Sequence, residues 1–303
     1  MSRKGYAIVT DLNKCLGCHA CAVECKIWWA SKQHGLHNAW WIITETRPGT
    51  GYPKNWVENV KKGTPPAAGD YEPEFEFRYN DLLDHSKSGL PRITPDPMPK
   101  YGPNWDFDTG VGDTPENAWY FYLPNQCMHC DDAPCIDVCP THAMYKTDKG
   151  MVIHDPTVCI GCKSCFNACP YRRIFWNDEL NQPSKCIMCE PFVEKGEAPV
   201  CVRACGGKAR FFGELDDPES PVHVFVEEYK VAIPLFPQYK TNPRVLFIPP
   251  VLSPPAANGK ERYDKSYLED FFGKDVWRVK NILETERKNK DSKLIKYLGG
   301  NHS

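Results

Sequence analysis

Hydrophobic residues along this chain come in short groups, broken often by proline, glycine and charge. No apolar run approaches the roughly 18 residues of a membrane-spanning helix. The stretch HAMYKTDKGMVIHDPTVC, ending at Cys159, predicts two short strands around a turn at Asp148, Lys149 and Gly150. Further on, KARFFGELDDPESP predicts a strand, a turn and the start of a helix. VLFIPPVLSPPAANG follows and reads as a proline-rich linker. Beyond it, Ser266 and Glu269 have the spacing of a capping box that opens a helical stretch. Val276, Val279, Ile282 and Leu283 then line one helical face. A segment of about a hundred residues before Cys127 is too long to be a plain loop. It holds seven of the nine tryptophans (Trp28, Trp29, Trp40, Trp41, Trp56, Trp105 and Trp119) and proline-rich runs such as RITPDPMPKYGPNWD. Such a segment reads as an irregular layer whose aromatic side chains plug the interior, dock a partner, or do both.

Composition narrows the class without naming a chemistry. At 303 residues the chain has room for roughly two domains. Its 41% hydrophobic and 25% charged residues are ordinary for a globular protein. Lys and Arg less Asp and Glu gives 37 − 39 = −2, a balance that favours neither nucleic acid nor an anionic membrane. The first fifteen residues, MSRKGYAIVTDLNKC, have no apolar core of a cleavable signal. TGVGDTPE is too poor in glycine for a nucleotide loop, and the terminal NHS fits a glycosylation sequon by chance. The sequence offers no Ser/His/Asp set, no paired acid and base and no pterin-sized domain, so no substrate site is expected on this chain.

The sixteen cysteines change the picture, because every one falls into a quartet. In CLGCHACAVEC the spacing is C-x2-C-x2-C-x3-C, the bacterial ferredoxin run. Disulfides at this density would scramble, and structural zinc sites use two well-separated pairs. The pattern therefore predicts iron–sulfur ligation, which also suits folding in a reducing compartment. Three cysteines of such a loop wrap one [4Fe–4S] cube, and the fourth is carried away by a short helix to a neighbouring cube. Cys139-Pro140 and Cys169-Pro170 end in the C-P signature, and the expected hairpin lies between their quartets, so the two middle quartets exchange ligands. The first and last are then partners. Cluster 1 takes Cys15, Cys18, Cys21 and Cys205; cluster 2 takes Cys25, Cys186, Cys189 and Cys201. Cluster 3 takes Cys127, Cys130, Cys135 and Cys169; cluster 4 takes Cys139, Cys159, Cys162 and Cys165.

The expected fold is thus α+β: two bacterial-type ferredoxin-like modules, each with two [4Fe–4S] clusters, plus the aromatic insertion and a C-terminal tail. An outer module comprises 1–26 with 180–217, and an inner module 119–179. The insertion is 27–118, and 218–303 forms an extension docking on partner subunits. Lys14, Lys26, Lys163, Arg172, Arg173, Lys185, Arg203 and Lys208 lie beside the cysteines, either as solvated surface or as counter-charge to the clusters. His129, inside CMHC, invites comparison with a Rieske ligand, but its quartet is already complete, so a supporting or surface role is expected.

VTDLNKCLGCHACAVECK, FYLPNQCMHC, CPYRR, KCIMC and FFGELDDP, with ETRPGTGYPKNW and PNWDFDTG inside the insertion, resemble the iron–sulfur beta subunits of the DMSO reductase superfamily. The last two favour its type II branch, which includes respiratory nitrate, selenate and (per)chlorate reductases and the dimethylsulfide and ethylbenzene dehydrogenases. The resemblance implies the same cluster pairing and electron transfer through four clusters. It implies a large molybdenum bis-pterin catalytic subunit as partner and a haem b or membrane-anchor subunit as a further one. Folding would be cytoplasmic, with a final place at the cytoplasmic face of the membrane or, by co-export with the catalytic subunit, in the periplasm. Many type II members have a non-cysteine residue at the second position of the third quartet and hold a [3Fe–4S] centre there. Cys162 at that position favours a fourth cube. The alternatives are a free polyferredoxin, a formate dehydrogenase or polysulfide reductase type of beta subunit, and a structural zinc protein.

Overall fold

The computed structural model describes residues 3–32, 39–48, 83–84, 92–93, 119–253, 255, 259 and 261–299. Trp56, Trp105, PNWDFDTG, TGVGDTPE and the terminal NHS lie outside them. Strand β1 (Tyr6–Asp11) precedes the first quartet, and β2 (Ile42–Arg47) follows it. Two-residue strands β3 (Leu83–Asp84) and β4 (Arg92–Ile93) pair with each other. Then come β5 (Phe121–Gln126), β6 (Met144–Lys146), β7 (Val152–His154), β8 (Phe175–Asn177), β9 (Gln182–Ser184), β10 (Arg210–Glu214) and β11 (Val245–Ile248). The mixture of short helices and short strands is the α+β class expected.

The main sheet has the order β10-β1-β11. β1 runs antiparallel to β10, with Tyr6 opposite Glu214 and Thr10 opposite Arg210. It runs parallel to β11, with Ile8 opposite Val245 and Asp11 opposite Ile248. This sheet joins the two ends of the cysteine pattern, because β1 ends four residues before Cys15 and β10 starts five residues after Cys205. Ile8, Val9, Leu246 and Phe247 are buried in one core with Phe225, Leu268, Phe271, Phe272, Val276, Val279, Leu283 and Leu294. The apolar face of the C-terminal helices is therefore spent on the chain's own sheet; Ile282, at its margin, is partly buried.

Two expectations are corrected here. VLFI is no linker but β11, buried at all four positions beside the central strand. A short unbroken apolar run is what a parallel strand covered on both faces requires, and the prolines only terminate it. The helix Lys265–Phe272 is capped by Asp264, not Ser266. Asp264 accepts from the backbone N–H groups of Ser266 at 2.8 Å and Tyr267 at 3.3 Å and from the Ser266 hydroxyl at 2.7 Å. Glu269 turns away to accept from Trp277 Nε1 at 2.6 Å. The hairpin of β6 and β7 lies where the pattern put it, with Met144 opposite His154 and Gly150 in the turn. β2 falls within the stretch read as irregular and pairs along its length with β5, from Ile42 opposite Gln126 to Arg47 opposite Phe121. This pairing lays the insertion against the strand that leads into Cys127.

Candidate metal centres

The C-x2-C-x2-C loops are shaped by residues in left-handed backbone conformation. Gly17 (φ +65°) and His19 (φ +57°) occupy the same loop positions as Gly161 (φ +69°) and Lys163 (φ +61°). Glycine is required twice over at the first of these positions. A Cβ on Gly17 would sit 2.5 Å from the Tyr122 ring, and one on Gly161 would sit 2.2 Å from Asn181 Nδ2. Each loop runs into a helix, Ala20–Trp28 with Cys21 and Cys25 or Ser164–Ala168 with Cys165.

The thiols fall into four neighbourhoods. Burial pushes the Cys15 thiol up to about 11, with Cys21 and Cys205 adding their repulsion. Cys18, on the same loop, is exposed. Burial raises Cys25 far more, and Cys186, Cys201 and Cys189 add to it. Those four line one mostly apolar pocket, together with Ile8, Trp29, Trp41 and Val200. Cys130 is raised by burial and then by Cys127 and Cys169; Cys135 by burial and then by Cys169, Cys127 and Cys130. Burial raises Cys165 to about 12, with contributions from Cys139, Cys159 and Cys162. Neighbouring sets also meet: Cys21 feels Cys201, and Cys186 feels Cys127. Cys165, Cys135, Cys139 and Cys169 share one apolar cluster with Met144 and Ile174.

These surroundings fit an iron–sulfur cube. Among the described residues, no three Cys, His, Asp or Glu side chains converge on a point that could hold a single ion. The second set instead lines one shared pocket. Buried thiolates repel one another, and the positive charge of iron removes that penalty. Donors already face the sulfurs. Ala209 N–H donates to Cys205 Sγ at 3.2 Å, Met188 N–H to Cys186 Sγ at 3.3 Å and Trp29 Nε1 to Cys189 Sγ at 3.2 Å. Thr44 Oγ1 lies 3.6 Å from Cys21 Sγ. Such contacts to sulfur set cluster potentials.

The structure divides the cations that flank the cysteines in sequence. Lys185, Arg172 and Arg173 are buried, and Lys163 and Arg203 are largely exposed. Lys14 donates to the carbonyls of Lys208 at 3.0 Å and Leu298 at 2.8 Å, so it ties the first loop to the tail. Lys26 donates to Ala39 O at 2.8 Å and lies over Trp40; burial lowers it to about 8. Lys185 Nζ donates to Cys186 O at 2.9 Å and to Val152 O, and its charge reaches Cys135. His129 is no surface residue: it is fully buried, accepts from Val152 N–H at Nδ1 (3.0 Å) and is kept neutral by burial beside Lys185 and Arg244. Of the buried cations the sequence reading passed over, Arg47, Arg210 and Arg244, Arg210 reaches a sulfur. It donates to Cys201 Sγ at 3.6 Å, though it lies outside the four cysteine runs. Only its place at the start of a strand returning past Cys205 could have pointed to it.

A profile of the 4Fe-4S dicluster domain matches residues 118–215, a stretch holding twelve of the sixteen cysteines. The dimethylsulfide dehydrogenase beta subunit of Rhodovulum sulfidophilum is 38% identical over 96% of this chain and 93% of its own. The perchlorate reductase beta subunit of Dechloromonas aromatica is 41% identical, covering 95% of this chain and 90% of its own. The selenate reductase beta subunit of Thauera selenatis is 38% identical over 99% and 97%. This chain belongs to the family of these beta subunits. As a member it is an iron–sulfur electron-transfer subunit of an oxidoreductase complex, in agreement with the resemblance carried by its motifs. Beta subunits work beside a catalytic subunit. No helix among the described residues of this beta subunit is long and apolar enough to cross a membrane.

Proposed function

We propose that this beta subunit holds four [4Fe–4S] clusters in two ferredoxin-like modules and passes electrons along them. The assignment is Cys15, Cys18, Cys21 and Cys205; Cys25, Cys186, Cys189 and Cys201; Cys127, Cys130, Cys135 and Cys169; and Cys139, Cys159, Cys162 and Cys165. The observation that carries it is that the thiols group across the sequence quartets: Cys205 is felt by Cys15 and Cys21, whereas Cys25, although it also feels Cys21, shares a pocket with Cys186, Cys189 and Cys201. The bound clusters supply one-electron transfer. The chain's part is to hold the ligands in a row, keep water from the middle of it and direct N–H groups at the sulfurs.

A two-partner arrangement is supported by the ends of the row. Exposed Leu16, Val23, Ile27 and Trp28 flank the first set, and exposed Val138, Val158, Ile160 and Leu180 lie on or beside the loops of the fourth. Apolar side chains left open beside redox centres suit partner surfaces. One partner would be a molybdenum bis-pterin catalytic subunit and the other a haem b or membrane-anchor subunit. Ligation by reduced thiolates supports assembly in the cytoplasm, with the working site on the cytoplasmic membrane face or in the periplasm.

The test is iron counting with EPR on the anaerobically purified complex. About sixteen irons per chain are expected, four for each cube. Removing Cys15 or Cys205 should damage one and the same signal, and removing Cys25 a different one. A major zinc content, or a common signal lost with Cys15 and Cys25, overturns the assignment.

A further inference from the structure

Arg210 opens β10, opposite Thr10 on the central strand, and is 4% exposed. Its Nη2 donates to Gln126 Oε1 at 2.5 Å and to Cys201 Sγ at 3.6 Å. Nε and Nη1 are buried too, and neither has a hydrogen-bond partner among the described residues. A guanidinium stays charged in a protein and presents its donors in a planar fork. Burying such a group with two idle N–H groups is unfavourable unless anions stand close by. The anions available are sulfurs. Nη2 touches Cys201 Sγ, and the N–H of the preceding residue, Ala209, donates to Cys205 Sγ at 3.2 Å, so sulfurs from both groups of cysteines stand beside this position.

These cysteines belong to two different sets of the proposed assignment, on which the following step rests. Cys205 is of the first set, and Cys201 is of the second. We infer that Arg210 is a shared counter-charge, lodged between the first and second iron–sulfur sites, that raises the potentials of both. An electron added to either site increases negative charge, and a fixed cation in a poorly screened interior favours that state. A single charge between two sites acts on both at once. Arg203 provides the natural contrast. It lies two residues from both Cys201 and Cys205, yet it is 43% exposed, pairs with Glu197 at 2.7 Å and covers the Phe192 ring.

EPR-monitored redox titration of the assembled complex tests this, with iron counted for wild type, Arg210→Gln, Arg210→Lys and Arg203→Gln. Arg210→Gln should move the midpoints of the first and second clusters to lower potential together and leave the third and fourth in place. Arg210→Lys keeps the charge and should shift them less. Arg203→Gln should leave the first cluster unmoved. An iron-replete Arg210→Gln protein with both midpoints unchanged, or with only one moved, overturns the inference. So does a shift as large in Arg210→Lys as in Arg210→Gln. If Arg210→Gln fails to hold iron, Arg210→Lys decides: full iron with small paired shifts sustains the counter-charge, and iron loss there too overturns it in favour of a packing role. The cysteine variants above report the ligand assignment separately, so a wrong pairing and a wrong role for Arg210 give different results.

Discussion

The second and fourth cysteine sets of the proposed assignment have the same number of thiols and opposite surroundings. Cys25, Cys186, Cys189 and Cys201 are all buried, walled by Trp29, Trp41, Ile8 and Val200. In the fourth set only Cys165 is buried, and Cys162 is exposed. The thiols answer accordingly. Burial raises those of the second set. Cys162 is lowered by its hydrogen bonds with Ser164, and at Cys139 the hydrogen bonds of Met144, Thr141 and Ala143 outweigh the slight burial. A deep site depends on its iron, because thiolates alone are unfavourable there. A shallow site is prepared by local hydrogen bonds and leaves one corner open to whatever approaches.

The contrast is sharpened first by cysteine removal in the deep site. Cys25→Ala should lose the irons of its site and destabilise the chain by about 4 kcal/mol or more, since a buried metal site is among the few single losses of that size. Denaturant melts with iron counts measure it; a stability within about 1 kcal/mol of wild type would break the comparison. Next is the wall behind the sites. On β2, Glu45 is paired with Arg47, lies 3.9 Å from Arg173 and accepts from Asn125 Nδ2 at 3.1 Å, all buried. Glu45→Ala should cost about 3–5 kcal/mol by leaving arginines buried without it. The same melts would register it. Cys162→Ala should be far milder: one iron lost from the fourth site, a new three-iron EPR signal, and stability changed by about 1 kcal/mol or less. A wild type that already gives that signal would remove Cys162 from the ligands. Smallest is Ser164→Ala, within about 0.5 kcal/mol in melts, with a change confined to the midpoint of the fourth cluster. A shift in the second cluster instead would show that the two environments are not separate.

The sequence was most informative where chemistry constrains spacing. The cysteine loops, the hairpin of β6 and β7 and the helical face of Val276, Val279 and Leu283 all follow from short-range rules. It was least informative where the decisive neighbour is remote. VLFI looked like a linker because two prolines follow it, while its reason for being a strand is β1, more than 230 residues earlier. Asp264 and Ser266 are both good caps, and the choice between them rests on which oxygen reaches the free N–H groups. Arg203 and Arg210 make the same point about charge. Nearness along the chain favoured the first, and the sheet turned the second inward.

The central position of β1 also sets a timetable. A strand translated long before its neighbours has neither of its partners until β10 and then β11 have left the ribosome. At roughly 5–20 residues per second that is a delay of about 10–50 s. Through this interval the nascent chain carries CLGCHACAVEC with nothing to close over it, while both middle quartets have already been made. Under the proposed pairing the inner clusters can be filled in order of synthesis, and the cysteines of this loop, translated before the other twelve, are among the last to be sealed. In a cell short of iron or exposed to oxygen, the N-terminal loop is the part of the chain that waits longest.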